Sequence, residues 1–303
     1  MTPTNPFTVI TNWRVSTLFV AAAAIAHPTS DLATNVETAS LNVDHGVTTL
    51  AVESGRPIAT AVQALVDHFG VVITYEDPRY AYKGDLQDVT ERVRKDLDRY
   101  PSGEPPRVIV PMGGKLTVKT RSTDVAAALK QLIQVQSTTG QGGHFRVEQS
   151  GDAFHVVPTE VRDRNRNWAL SASILDIPIS LPTQDRAAQQ VLDEICKAVS
   201  AAAHVRVWSG MGLGGDLRSV EGPPQYRLGA KNEPARSVLM RALAAVAADR
   251  GKLTWVLFYG DDSYALSILS VPNRAVPAVT AQPQQPTSSP SSGTSQYYGT
   301  GVR

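Results

Sequence analysis

The chain repeats the stretch that decides its fold: Leu116-Thr-Val118, Asp124-Val-Ala-Ala-Ala-Leu129, Phe145-Arg-Val147 and Phe154-His-Val156. The second copy lies 110 residues further along and reads Tyr226-Arg-Leu228, Pro234-Ala-Arg-Ser-Val-Leu239, Trp255-Val-Leu257 and Tyr264-Ala-Leu266. The two copies align without a gap, and apolar residues fall on apolar residues. Each copy therefore predicts a strand, an amphipathic helix and a hairpin of two strands.

The length and composition favour two globular domains. The chain has 303 residues, with 42% hydrophobic and 19% charged residues, and it exceeds the usual size of a single core. The net charge of +1 gives no basic footprint for nucleic acid. Its one cysteine, Cys196, excludes an intramolecular disulfide and a cysteine metal cluster, and helical spacing places it on an apolar face as a buried residue.

The first 26 residues have the layout of a secretory signal peptide. Arg14 precedes the mostly apolar run Val15 to Ala26, which ends in the small-residue site Ala24-Ile-Ala26. We expect cleavage after Ala26 and a periplasmic or other envelope location in a bacterium. The alternative interpretation is an ordinary N-terminal helix with frayed ends. No segment is apolar for long enough to predict a membrane-spanning helix in the mature chain.

The pattern predicts an α+β fold made of two tandem domains, each with two helices packed on small mixed sheets in a βαββαββ-type order. In the second half we expect strand Ile174 to Leu181 and helix Asp185 to Ala202, and Asn232 is placed as the N-cap of the last helix. The polar residue His155 is expected to face solvent. The predicted boundaries are a signal peptide at 1–26, a linker at 27–47, domains at 48–160 and 172–272, a charged solvated connector at 161–171 and a disordered tail at 273–303.

The motifs of cofactor and metal sites have no support in their surroundings. Gly210 to Gly215 fits the glycine spacing of a dinucleotide loop, but Pro223 and Pro224 forbid the helix that should follow. The six histidines do not occur at metal-ligand spacing, and no nucleophile motif is present. The sequence therefore predicts no catalytic residue, no cofactor and no metal.

Short apolar motifs resemble the STN module, which is the short N-terminal domain of secretins (their N0 domain) and of TonB-dependent receptors. They are Ala61-Val-Gln-Ala-Leu65, Phe69-Gly-Val-Val-Ile-Thr-Tyr75, the helix Ala126 to Leu132 and the hairpin Phe145 to Val157. The resemblance covers residues 48–159 well and 174–271 more loosely. It departs from the family in its long insert at 80–114 and in the absence of a following barrel or secretin core. It implies an envelope location and protein contacts, and it brings no catalytic residues.

These features lead to the expectation of an exported, non-enzymatic protein that acts through protein–protein contacts, with an unidentified partner and no nucleic acid. An open strand edge could accept a partner strand, and Phe145 to Gln149 and Leu253 to Gly260 are the candidates. The residues predicted to form the contact surface are Tyr75, Tyr80, Tyr82, Met211, Leu213 and Tyr226.

The alternative is a small-ligand binder or enzyme. Its pocket would lie between the two domains and would be lined by Tyr75, Tyr80, Tyr82 and the loop at 209–225.

Overall fold

The computed structural model describes residues 38–44, 47–93, 107–120, 124–140, 142–210, 224–260 and 262–273. The signal-peptide prediction, most of the predicted tail and most of the 209–225 loop lie outside these ranges. None of the helices within them combines the length and the apolar character needed to cross a bilayer.

The first half of the molecule ends at Leu170. In chain order it contains β1 (Thr38–Asp44), β2 (Val47–Ser54), α1 (Pro57–Phe69), β3 (Val72–Glu76), β4 (Leu86–Asp88), α2 (Thr90–Val93), β5 (Ile109–Pro111), β6 (Gly114–Thr120), α3 (Val125–Thr139), β7 (His144–Ser150), β8 (Ala153–Arg162) and β9 (Trp168–Leu170).

The second half begins with a 3₁₀ turn at Ile174–Asp176. It continues with β10 (Pro178–Ala187), α4 (Ala188–Ala203), β11 (Arg206–Ser209), β12 (Gln225–Pro234), α5 (Ala235–Arg250), β13 (Leu253–Gly260) and β14 (Ser263–Ser270).

One central sheet runs through both halves in the order β11-β14-β13-β3-β8-β7, with β9 also paired to β8. Strands β3 and β8, β11 and β14, and β13 and β3 pair in parallel, and the other neighbours in this sheet are antiparallel. Smaller antiparallel sheets are formed by β1-β2-β6, by β10-β12 and by β4-β5. The predicted α+β class is therefore confirmed.

The parallel strand pair of each half has the same register relative to the repeat. In the first half β3 lies parallel to β8 with Val72 opposite Ala153, and in the second half β11 lies parallel to β14 with Arg206 opposite Ser263. The gapless alignment of the sequence repeat places Ala153 on Ser263. It follows that the repeated residues occupy the same positions in two copies of one arrangement.

Local sequence signals explain where the first-half elements begin and end. Helix α1 has Pro57 in its first turn, where a missing N–H is harmless, and it ends at Gly70 in the left-handed conformation (φ 64°). Asp124 caps α3 by accepting the Ala126 N–H at 2.9 Å. The β7–β8 hairpin turns at Gly151, whose φ of 57° favours glycine.

The central strand β13 is buried on both faces, because the helices of the two halves pack on opposite sides of the sheet. Trp255, Leu257 and Tyr259 belong to the core of the second half. Val256 belongs to the core of the first half, and Phe258 packs against that core. Since successive side chains of a strand point to opposite faces, β13 separates two cores.

Three predictions of strand and helix boundaries were wrong in part. Part of the predicted 27–47 linker forms β1, which pairs with β2. Residues 174–176 form a 3₁₀ turn, and the strand that follows extends through Ala187. Helix α4 therefore starts at Ala188 and not at Asp185, because Asp185 to Ala187 still pair with β12.

Two predictions about individual polar segments were also wrong. Asn232 does not cap α5, which is preceded by Pro234; Asn232 lies in β12 with a positive φ, and its N–H donates to the Ser180 hydroxyl at 2.9 Å. The predicted connector is a tight hairpin in which β9 folds back on β8. Its Arg162 is drawn inward by an ion pair with buried Asp85.

Because β13 is buried on both faces and β7 is not, exchanging valine and arginine at equivalent positions of the two strands should change the stability unequally. Val256 in β13 is 1% exposed and corresponds to Arg146 in β7, which is half-exposed. We expect Val256→Arg to lower the free energy of unfolding by more than about 3 kcal/mol, because it buries an unpaired charge. The reciprocal Arg146→Val should change it by less than about 1 kcal/mol. Urea unfolding measures both; equal effects would contradict the assignment of β13 as the central strand.

Candidate functional site

The junction between the halves depends on Asp77, which follows directly after β3. Its carboxylate accepts the Tyr259 N–H at 2.9 Å, the Tyr75 hydroxyl at 2.7 Å and the Arg56 Nε–H at 2.7 Å. Its own N–H donates to the Leu257 carbonyl at 2.8 Å. Asp77 thus continues the β3–β13 ladder beyond the end of β3, and Arg56 offsets the cost of burying its charge.

A second buried ion pair joins β3 to the first turn of α5. Arg236 Nη2 lies 3.3 Å from Glu76 Oε2, and the same nitrogen donates to Ser173 Oγ at 2.7 Å and to Asp176 Oδ1 at 3.0 Å. Glu76 also accepts the Ser173 hydroxyl at 2.6 Å and the Ile174 N–H at 2.8 Å. A cation at a helix N-terminus opposes the helix dipole, so these carboxylates compensate for the position of Arg236.

Burial shifts the pKa values of two ionisable groups in this region in opposite directions. Burial raises the pKa of Glu76 to about 7, against the opposing effect of Arg236 and of the donors from Ser173 and Ile174. This carboxyl therefore lowers the free energy of unfolding as pH rises from about 4.5 through about 7. Burial, aided by Arg236, lowers the pKa of His155 to about 4.

His155 was expected to face solvent, and this expectation was wrong. It is 3% exposed, and its Nδ1 lies 2.8 Å from the Thr74 hydroxyl. It lies between Thr74 of β3 and Glu148 of β7, and Arg236 of the second half is close enough to affect its pKa. The alternation with Phe154 and Val156 indicated correctly that it lies on the other face from them, but this second face is also covered.

The tyrosines predicted to form a contact surface are mostly inside the molecule. Tyr75 and Tyr80 are 2% and 6% exposed and lie beside Asp77 and Tyr259 at the junction. Tyr82 is half-buried and carries the guanidinium of Arg162 over its ring. Tyr75 and Tyr80 are therefore buried within the described part of the chain, whereas most of the 209–225 loop, the other predicted wall of the alternative pocket, lies outside the described residues.

Tyr226 lies elsewhere, in the second half. It is half-buried, donates to Asp249 Oδ2 at 3.0 Å and lines a shallow apolar groove between α4, α5 and β12 with Leu192 and Leu243. The predicted contact residues Met211 and Leu213 lie outside the described residues. Among the four predicted contact residues that the structure describes, Tyr226 thus lies apart from Tyr75, Tyr80 and Tyr82.

Groups suited to chemistry are sparse in the part of the chain that the structure describes. Within those ranges no three metal-type ligands lie close enough together to hold an ion. Cys196 is buried on α4, and burial raises the pKa of its thiol to about 12, so it is a packing residue.

Of the two predicted open strand edges, only β7 lies at an edge. Strand β13, which contains Leu253 to Gly260, pairs with β14 on one side and with β3 on the other, so that prediction was wrong. Strand β7, which contains Phe145 to Gln149, pairs with β8 and ends the central sheet. In the repeat, the edge of β13 that accepts β3 corresponds to the outer edge of β7, which has no neighbouring strand among the described residues.

The backbone groups on that edge can be identified from β13. Leu257 presents its carbonyl to β3, where it accepts the Asp77 N–H. Leu257 lies opposite Leu266 as Val147 lies opposite Val156. The backbone N–H and C=O of Val147, and by alternation those of Phe145 and Gln149, therefore point away from β8 and towards the edge.

The opposite edge of the sheet, β11, is closed by a side chain. The Val207 N–H donates to Ser200 Oγ at 2.8 Å, and this hydroxyl also lies 3.1 Å from the Val207 carbonyl oxygen. In the first half Ile73 is equivalent to Val207, and Val66 is equivalent to Ser200. The Ile73 carbonyl accepts the Thr254 hydroxyl of β13 at 2.6 Å. Ser200 on α4 thus bonds the outward-pointing backbone groups of β11 within the second half. In the first half, the equivalent edge of β3 is bonded across the junction by β13.

Comparison with protein families, with curated proteins and with solved structures found no match to this chain. The function has therefore to be inferred from the chain's own residues and geometry.

Sequence reasoning missed the residues that form the junction. Glu76 and Asp77 were given no role, because two adjacent carboxylates carry no specific local signal. Arg56 and Arg236 gave no local signal. Their partners are distant in the sequence, and only the three-dimensional fold brings them together.

Removing the Asp77 carboxylate should destabilise the molecule strongly. We expect Asp77→Ala to lower the free energy of unfolding by about 3 kcal/mol or more, because it leaves Arg56 buried without its anion. The control is Lys115→Ala, which removes an exposed ion pair with Glu53 and should cost less than about 1 kcal/mol. Chemical unfolding of both variants measures the difference. A small loss in Asp77→Ala would show that the junction does not depend on this carboxylate.

His155 should stay neutral in the folded protein until pH falls to about 4. An unfolded histidine takes up its proton near pH 6.5, so this residue stabilises the fold above that pH and its contribution is lost as pH falls towards 4. NMR titration of the histidine rings, with His155→Gln to assign the signal, measures the pKa. A midpoint near 6.5 for His155 would contradict its burial.

Proposed function

We propose that this chain is an exported, non-enzymatic protein of a bacterial envelope that works through protein–protein contacts, and that it receives a partner strand on the β7 edge. Its two halves act as tandem STN-like modules in this proposal. The signal-like first 26 residues and the short apolar motifs of residues 61–75 and 126–157 support the location and the class.

One observation carries the proposal of strand addition. The repeat contains the same strand edge twice, once occupied and once free. In the second half β3 adds in parallel to the β13 edge, and among the described residues the equivalent β7 edge in the first half has no such neighbour in the central sheet. An edge geometry that accepts a strand within the molecule is suited to accept one from outside.

The geometry favours contacts over a small-ligand pocket. The tyrosines expected to wall a pocket, Tyr75 and Tyr80, are packed against Asp77 and Tyr259 with hydrogen bonds and ring contacts. Opening a cavity there would require breaking the Asp77 network that joins the halves.

A photo-crosslinking residue in place of Gln149 tests the contact, since the Gln149 side chain is exposed beside the edge. The full chain would be expressed in a bacterial host, and irradiation should join residue 149 to a protein of the envelope, other copies of this chain included. The same probe at Gln134, which is exposed on α3, serves as the control. Adducts at 134 as abundant as at 149 would contradict a specific edge contact.

Val147→Pro provides a second arm, because it removes the N–H that points to the edge and proline is tolerated on edge strands. We expect it to abolish the 149 adduct and to leave the circular dichroism spectrum unchanged, whereas Val147→Ala keeps the adduct. Mass spectrometry of the N-terminus in the periplasmic fraction tests export. An intact chain that is confined to the cytoplasm would contradict the proposed location.

A further inference from the structure

We propose that the occupant of the β7 edge is a second copy of this chain, paired antiparallel to the first about a two-fold axis at Val147. This inference rests on the proposed function, because it names the partner of the same edge. It gives a symmetric dimer in which the two central sheets join into one.

The backbone of β7 fits such a pairing. Antiparallel strands related by a two-fold axis at Val147 place Val147 opposite its own copy and Phe145 opposite Gln149 of the second copy. These are the residues whose N–H and C=O groups point to the edge, so each opposed pair can exchange two hydrogen bonds. A shift of the register by one residue would place these outward-pointing backbone groups opposite groups that point inward to β8, and the hydrogen bonds would be lost.

In this antiparallel register the charges on the two β7 strands are complementary, whereas in an in-register parallel pair they are not. Arg146 and Glu148 flank the axis, so each Arg146 lies opposite Glu148 of the second copy. Within one chain the two side chains already pair, with Arg146 Nη2 2.6 Å from Glu148 Oε1, and both are partly exposed. Opposite charges directly across a strand pair stabilise it, and like charges destabilise it. A parallel pair in register would place Arg146 on Arg146.

The β11 edge of the sheet does not compete for β7. Continuation of the internal junction would place β7 of one copy on β11 of the next and would build an open-ended chain of copies. Ser200 already takes the Val207 N–H at that edge. In the repeat, Gly210 occupies the position that corresponds to Glu76. Glycine has no carboxylate and cannot form the ion pair of the internal junction. The closed β11 edge thus favours a dimer that stops at two copies.

Charge reversal tests the register. Sedimentation equilibrium of the full chain should show a monomer–dimer equilibrium. Arg146→Glu places two glutamates opposite each other on each side of the axis, and Glu148→Arg does the same with arginines. Each variant alone should raise the dimer Kd roughly tenfold or more. The double variant Arg146→Glu/Glu148→Arg should restore the wild-type Kd.

The two single variants also control for each other. Mixed in equal amounts, they should form a heterodimer, because the two carboxylates that flank the axis in one variant then face the two guanidinium groups of the other. Formation of this heterodimer shows at once that both variants are folded. A wild-type chain that stays monomeric up to roughly 1 mM, or a dimer whose Kd ignores these charges, overturns the inference.

A disulfide across the axis gives an independent measurement. In a hydrogen-bonded antiparallel pair the two Cα atoms lie roughly 5.5 Å apart, within the range of a disulfide. Val147→Cys should therefore form a covalent dimer on mild oxidation, whereas Gln149→Cys should not, because the two copies of residue 149 lie on opposite sides of the axis. Cys196 is buried and does not interfere. Equal yields for the two variants would also overturn the register.

The outcome separates this inference from the proposed function. If the chain is a monomer but residue 149 still forms an adduct with a different envelope protein, the self-pairing is wrong and the edge contact stands. If residue 149 forms no adduct and the chain is a monomer, both are wrong.

Discussion

The fold depends on the parallel pairing of β3 with β13, which joins two copies of one unit into a single sheet. The ladder itself is short, with Val256 opposite Tyr75 and Leu257 opposite Glu76. Asp77 lengthens it by offering a carboxylate to the Tyr259 N–H where the strand has ended. The buried charges of Asp77 and Glu76 are tolerated only because arginines reach them, so two ion pairs and one short ladder decide how the halves are placed.

This placement explains which strands are central and which are edges. The helices of one half cover one face of the sheet and those of the other half cover the opposite face, so the strand between them is buried twice. Its sequence, Leu253 to Gly260, carries no charged residue, and its one hydroxyl amino acid of the Ser/Thr type, Thr254, donates to the Ile73 carbonyl, as expected for a strand without a solvated face. The equivalent strand β7 carries Arg146 and Glu148, whose charges require water or a charged partner. The repeat has thus diverged at the positions where the two environments differ.

The local structure was largely predictable from the sequence, and the assembly of the halves was not. The strand, the amphipathic helix and the hairpin of each repeat copy depend on neighbouring residues, and the sequence pattern predicted them. The burial of His155 and Tyr75 depends on residues from the other half, which no local pattern can reveal. The apolar alternation placed these side chains on a face, but which face is covered is decided by contacts distant in the chain.

The junction also has a consequence for the order of folding. Strands β3 and β13 are separated by most of the described chain, and contacts between distant residues close large loops at a cost in chain entropy. Each half can form its own parallel pair from nearer residues, so the sheet should be completed late. Until then β13 exposes a strand that is apolar on both faces, which is the kind of segment that aggregates during folding. Synthesis from the N-terminus lessens this exposure, because β3 is already in place when β13 is made.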